Sequence, residues 1–186
     1  MKDDICTRLI RAATELGAYR AAVVKVSDIE TDASFRALCE SNACGNYGRN
    51  WMCPPDAGDI HELMARLKSY PYALVYQTVS PLEDSYDFEG MTEAGYRHNQ
   101  LMLALREKTD ALPLSRALHL GAGGCRVCEE CAKRTGEPCR HPRMAVASLE
   151  TYGVNVSKLA SLAGMKYING QNTVTYFGAV LFDLQE

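Results

Sequence analysis

Seven of the chain's eight cysteines fall in two short windows, residues 39–53 and 125–139. Clustering of this kind reads as metal ligation rather than as a disulfide framework. The second window is Cys125-x2-Cys128-x2-Cys131-x7-Cys139, with Pro142 three residues later. Two intervening residues let a tight turn present both sulfurs to neighbouring metal atoms, and a third repeat wraps the loop around an object larger than a point. A single tetrahedral zinc is served by pairs of such turns, so three cysteines in succession favour a 4Fe-4S cube, with zinc as the alternative.

The same spacing resembles the bacterial ferredoxin run of three closely spaced cysteines plus a distal one near a proline. Four thiolates leave such a cluster negatively charged. Residues 125–143 supply Arg126, Lys133, Arg134, Arg140 and Arg143 against Glu129, Glu130 and Glu137. A helix starting near Pro142 would turn its positive end towards the site. Gly121, Gly123 and Gly124 permit close backbone approach, so that peptide N–H groups can reach cluster sulfurs. Gly123, Gly124 and Arg140 are therefore cofactor-contacting candidates. Arg140, His141 and Arg143 could also grip an anionic substrate, although offsetting cluster charge is the plainer role.

The first window, Cys39-x4-Cys44-x8-Cys53-Pro54-Pro55, is looser and offers three ligands. Its Cys-Pro ending matches that of a ferredoxin's last ligand, and Gly45, Gly48, Tyr47 and Trp51 suit a loop folded around a bulky inorganic group. It is expected to hold a second 4Fe-4S cluster with one iron left for water, substrate or another residue. Cys6 could complete it, yet the residue sits beside a helical apolar stripe that already explains it. His98 shares a helical face with Leu101, Met102 and Leu105, where a packed histidine is the simpler reading. Tyr47 reads as packing, and the acidic run at 83–89 as a solvated loop.

The 186-residue chain fits one domain over 1–186, and a chain of this size buries about 70% of its unfolded surface, so its cysteines are not needed as staples. Its net charge of −3, with Lys and Arg dispersed, gives no electrostatic case for nucleic acid. Two early acids and the lack of an apolar run argue against a signal or transit peptide, and no stretch could span a membrane. A cytoplasmic setting, where free thiols persist, is expected.

The elements that must position these loops follow from periodicity. Ile5, Leu9, Ala12, Ala13 and Leu16 predict a first helix over 4–16, stopped by Gly17. Residues 19–26 predict a strand, followed by a short helix ending near Leu38. Asp59 caps a helix that Pro71 terminates, and 72–79 form a second strand. A helix is predicted over 92–108, and a third strand at 117–120 runs into the glycines. Pro142 and Gly153 bracket a predicted helix over 142–152. A short helix over 157–163 closes at Gly164, and 173–182 form a last strand. The expected fold is α+β: a mixed sheet of about four strands, with packed helices and two cysteine-rich metal-binding loops.

Together, Cys39, Cys44-Gly-Asn-Tyr-Gly-Arg-Asn-Trp-Met-Cys53-Pro-Pro, Leu120-Gly-Ala-Gly-Gly-Cys125-Arg-Val-Cys128-Glu-Glu-Cys131, Gly136-Glu-Pro-Cys139-Arg-His-Pro and Ser148-Leu-Glu-Thr-Tyr-Gly-Val-Asn-Val carry a resemblance. The chain resembles the prokaryotic predicted metal-binding family called domain of unknown function 2284, over nearly its whole length. The resemblance implies metal binding through these cysteines and a setting common in anaerobes, and it implies no particular reaction. Three functions stay open. One is a one-electron carrier working with a redox partner protein. The second is an enzyme using an open-site cluster on a small molecule, and the third a non-catalytic metal-binding or docking module. Each would depend on iron–sulfur assembly machinery.

Overall fold

The computed structural model describes residues 2–185. Five strands, β1 (Arg20–Lys25), β2 (Tyr72–Pro81), β3 (Leu114–Gly121), β4 (Ala147–Ser148) and β5 (Thr173–Leu184), form one sheet in the order β1-β2-β5-β3-β4. Neighbours are antiparallel except β3 and β4, which run parallel over Leu120–Gly121 and Ala147–Ser148. The mixed sheet and packed helices make the fold α+β, with a two-residue fifth strand added to the expected four. The last strand in sequence is the central one.

Four helices pack on the sheet, α1 (Lys2–Glu15), α3 (Ile60–Lys68), α4 (Phe88–Asp110) and α5 (Val156–Leu162), while the short α2 (Phe35–Glu40) buries no residue and lies against the Glu150–Tyr152 turn. Strand alternation sorts the core into two halves. Ala73 and Val75 of β2 and Phe177, Ala179 and Leu181 of β5 pack with Leu63 and Leu67 of α3 and Leu159 of α5. Leu74 and Tyr76 of β2 and Val180 and Phe182 of β5 face the other way, onto Ile5 and Leu9 of α1 and Leu101 and Leu105 of α4. A sheet buried on both faces needs the near-continuous apolar run that residues 72–76 supply. Each fully buried Leu or Phe is worth about 1.5–3 kcal/mol. Room for the Tyr76 ring comes from its cross-strand partner Gly178, where a Cβ would run into that ring.

Local signals set most helix ends. Gly17 takes φ 104° just beyond α1, and Gly164 takes φ 67° beyond α5. The Asp59 carboxylate accepts hydrogen bonds from the His61 and Glu62 amides at the start of α3, and Asp87 accepts from Gly90 at the start of α4. With that cap, α4 begins at Phe88, four residues before its expected start, and takes up the end of the acidic loop. The short helix expected to end near Leu38 is present and runs two residues further. α2 continues through Cys39 to Glu40, so the first cysteine lies on a helix.

The expected helix over 142–152 is absent. After turns at 142–144, Ala147 and Ser148 pair with β3, and only Glu150–Tyr152 make a single 3-10 turn before Gly153 at φ 72°. Val146, Ala147 and Leu149 are buried, and β-pairing satisfies backbone that a helix would have satisfied internally. The helix dipole expected at Pro142 is therefore not available to the cysteines.

Candidate metal centre

β3 delivers the chain to the second window through Gly121–Gly124. A Cβ on Gly124 would come within 3.1 Å of the Asn46 amide nitrogen and 3.3 Å of that of Asn50, so the bare backbone is what lets this segment pass against the first window. Gly123 adopts φ 66°, which turns the chain into Cys125. Beyond Cys131, a 3-10 turn over Ala132–Thr135 closes on Gly136 at φ 74° and brings Cys139 back. Cys125, Cys128, Cys131 and Cys139 all line one small cavity, with Trp51 and Met52 of the first window forming part of its wall.

The two windows are a single neighbourhood. Buried Asn50 donates from Nδ2 to the Cys125 carbonyl at 3.2 Å and accepts the Met52 amide at 3.0 Å. Trp51 donates from its indole nitrogen to the Glu137 carbonyl at 3.0 Å. Lys133 pairs with Asp56 at 2.5 Å and lies 4.3 Å from the centre of the Trp51 ring. These ties couple residues more than seventy positions apart in sequence. The first window thereby becomes a wall of the second window's site.

Sulfur electrostatics report the same convergence. Cys53 is only 7% exposed, and burial pushes its thiol up to about 12, with Cys44, Cys39, Cys125 and Cys131 adding to the rise. Cys53 therefore lies within electrostatic reach of cysteines of both windows. Burial also raises the Cys125 thiol; the Val127 and Val146 backbone amides pull the other way, and Cys131 and Cys139 add to the rise. Cys39 is raised by burial, opposed by Arg36 and reinforced by Cys44. Thiols so placed cannot ionise together unaided, and a bound cation is the group that reverses this. The donor set fits a thiolate-ligated metal centre. Among the described residues, however, no three of His, Cys, Asp or Glu are grouped closely enough to hold one metal ion.

The basic residues near Cys139 are mostly engaged. Arg134 pairs with Glu130 at 3.4 Å, and Arg140 donates to the Glu130 carbonyl at 3.1 Å and pairs with Glu137 at 3.7 Å. Arg140 also lines the cavity, so it both braces the loop and borders the site. Arg126 turns away to lie near the Tyr176 and Tyr96 rings, beneath Gly95, where a Cβ would meet its guanidinium. Arg143 has no carboxylate within ion-pair distance among the described residues.

Of the candidate fourth ligands for the first window, Cys6 packs on the α1–α4 side of the sheet, and the nearest groups acting on it are Lys2 and Asp3 rather than any cysteine. His98 is 2% exposed, with Nδ1 2.9 Å from the Thr78 hydroxyl and its ring stacked on Tyr76. It borders a narrow cavity shared with Cys125, not with Cys39 or Cys44. Tyr47 is half-buried in its loop. Asn50 and Trp51, which join the windows, were not singled out as a bridge by the sequence, and only the Asn-Trp placement just before Cys53 could have drawn notice to them.

No helix is long and apolar enough to cross a membrane among the described residues. No curated protein and no solved structure matches the chain significantly. The sequence model of one family, described as predicted metal-binding protein, matches residues 22–182 and so takes in both cysteine windows, every strand except the first two residues of β1 and the last two of β5, and the ties between the windows. This chain belongs to the predicted metal-binding family DUF2284.

Proposed function

We propose that the protein carries a 4Fe-4S cluster on Cys125, Cys128, Cys131 and Cys139 and serves one-electron transfer to a redox partner protein in the cytoplasm, with iron–sulfur assembly machinery supplying the cluster. The observation that carries this reading is that all four cysteines, three of them at two-residue spacing, line one cavity. Zinc with bonds of about 2.3 Å needs its sulfurs about 3.8 Å apart, whereas a cube spreads its ligands over four irons. The Val127 and Val146 amides near Cys125 offer N–H donors to sulfur. When bound, such a cluster takes up and gives back one electron.

A second reading is favoured by a separate observation. Cys39 and Cys44 line a surface cavity of about 340 Å³ together with Phe35, Leu38 and Tyr167, within the size range of small-molecule sites. A second cluster on Cys39, Cys44 and Cys53 with one iron open to this cavity would make the protein an enzyme acting on a small molecule. Cys53, within electrostatic reach of cysteines of both windows, is the ligand on which the division into four and three depends.

The test of the carrier reading is a potential-poised titration of anaerobically purified protein followed by electron paramagnetic resonance. A signal that appears and disappears reversibly with a one-electron slope, about 59 mV per tenfold change, is expected. A protein with no reversibly reducible centre would end this reading.

A further inference from the structure

We propose that the protein binds a small anion bearing a carboxylate or phosphate group in a cavity of about 290 Å³ at the open edge of β3, gripped by Arg66, Arg106 and Arg143. β4 covers only Leu120 and Gly121 of that edge, so the strand before them is unpaired on its outer side. The cavity occupies that gap. Leu118 and Leu120 belong to the α3–α5 side of the sheet, and His119, whose cross-strand partner Val180 belongs to the α1–α4 core, faces the other side. The cavity therefore straddles the sheet edge. It draws Arg66 from α3, Arg106 from α4 and Arg143 from the segment after Cys139.

Its chemistry has one sign. Three arginines line it and no acidic residue does. None of the three has a carboxylate within 4.0 Å among the described residues. Arg66 reaches the Tyr152 hydroxyl at 3.4 Å, and Arg106 donates to the Arg143 carbonyl at 2.6 Å, which draws two of the arginine-bearing segments together. The Arg106 Nε is buried without a partner, and Asp110, one turn further along α4, acts on this guanidinium without pairing. His119 provides the second, independent pointer. It is 5% exposed, it lines the cavity, and both ring nitrogens lack hydrogen-bond partners.

Buried donors without partners are rare because each costs about 1–3 kcal/mol, and an oxyanion would satisfy several here at once. Guanidinium forks match the two-oxygen edge of carboxylate and phosphate alike, and Met52, Leu118 and Pro142 supply apolar wall for a small organic body. The assignment does not rest on the cysteines holding a cluster. If one is present, Met52 beside Cys53 and Pro142 after Cys139 place the anion next to it.

The test is isothermal titration calorimetry of the anaerobically purified full chain, in low-chloride buffer at neutral pH, with inorganic phosphate and with succinate. Saturable one-site binding of at least one anion is expected, and the tighter of the two identifies the headgroup. Affinity should fall about tenfold or more in Arg106→Gln and in Arg143→Gln. Arg11→Gln, the same charge change on an exposed side chain of α1, should leave it unchanged. If Arg106→Gln does not fold, Arg66→Gln and Arg143→Gln, whose side chains are exposed, give the same reading. Absence of saturable binding by either anion, or equal weakening by Arg11→Gln, would overturn the assignment and leave the arginines as general charge compensation.

Discussion

Replacing Cys128 with Ser is expected to remove one cluster's worth of iron, about four atoms per chain, with a matching loss of acid-labile sulfide. Cys128 lies at the middle of the run and lines the cavity between Cys125 and Cys131. A serine hydroxyl is a harder, more basic ligand that holds iron less well than thiolate does. The loop itself has little else to fold around. Between β3 and β4 it contains one 3-10 turn, and the residue it buries most deeply there is Ala132. Metal binding at such a site is also folding energy, so proteolytic cleavage between residues 125 and 140 should quicken in the variant. Cys6→Ser, on the α1–α4 side of the sheet, should leave iron content unchanged. Unaltered iron in Cys128→Ser would show that this cysteine is not a ligand.

The second large effect is acid sensitivity set by two buried histidines. Burial pushes His98 down to about 4 and His119 down to about 3, with Arg126 and Arg106 respectively contributing. Both folded values lie below the ordinary value of about 6.5, so the unfolded chain binds more protons as pH falls. The stability they contribute is fully present above about pH 6.5 and is lost as pH falls through the window down to about 4. Each histidine approaches a slope of about 1.4 kcal/mol per pH unit there, and the pair about 2.7. Chemical denaturation at a series of pH values checks this. His98→Gln and His119→Gln should each flatten the profile by about 1.4 kcal/mol per pH unit relative to the parent, a comparison that cancels any acid loss of metal common to all three. An unchanged slope in both variants would contradict the assignment. Occupancy of the arginine cavity by an anion would moderate the His119 contribution, since an anion beside the ring favours its protonated form.

The parts of the fold readable from sequence are those whose signals are local. The stripe of Ile5, Leu9 and Ala13, the Asp59 cap and the glycine stops at 17 and 164 depend on neighbours within a turn or two, and α1, α3 and α5 form where those signals lie. The segment 142–152 shows how such signals fail. Pro142 and Gly153 are sound helix punctuation, yet pairing of Ala147 and Ser148 with the outer edge of β3 outweighs local propensity, and Gly153 ends only a 3-10 turn. Asp87, an effective cap hidden in a run of acids, explains why α4 starts earlier than its apolar periodicity suggests.

At the site, the cysteine spacing pointed to metal binding, in agreement with the description of the family to which the chain belongs. It did not announce that the two windows are one neighbourhood, because that rests on Asn50 reaching Cys125 and Trp51 reaching Glu137, contacts between segments with no local pattern in common. The arginine cavity is still less legible. Arg66, Arg106, His119 and Arg143 belong to four different segments, and only the strand order with β3 near the edge gathers them. Arg143 alone stood out in the sequence, for its nearness to Cys139.

Metal and sulfide analysis of protein purified without oxygen is the sharpest test of a thiolate-ligated iron–sulfur centre. Brown protein absorbing at about 400 nm is expected, with about four iron and four sulfide per chain if the second window alone is filled and about eight of each if both are. Exposure to air should bleach it. A colourless protein holding stoichiometric zinc and no acid-labile sulfide would rule out an iron–sulfur centre on these cysteines.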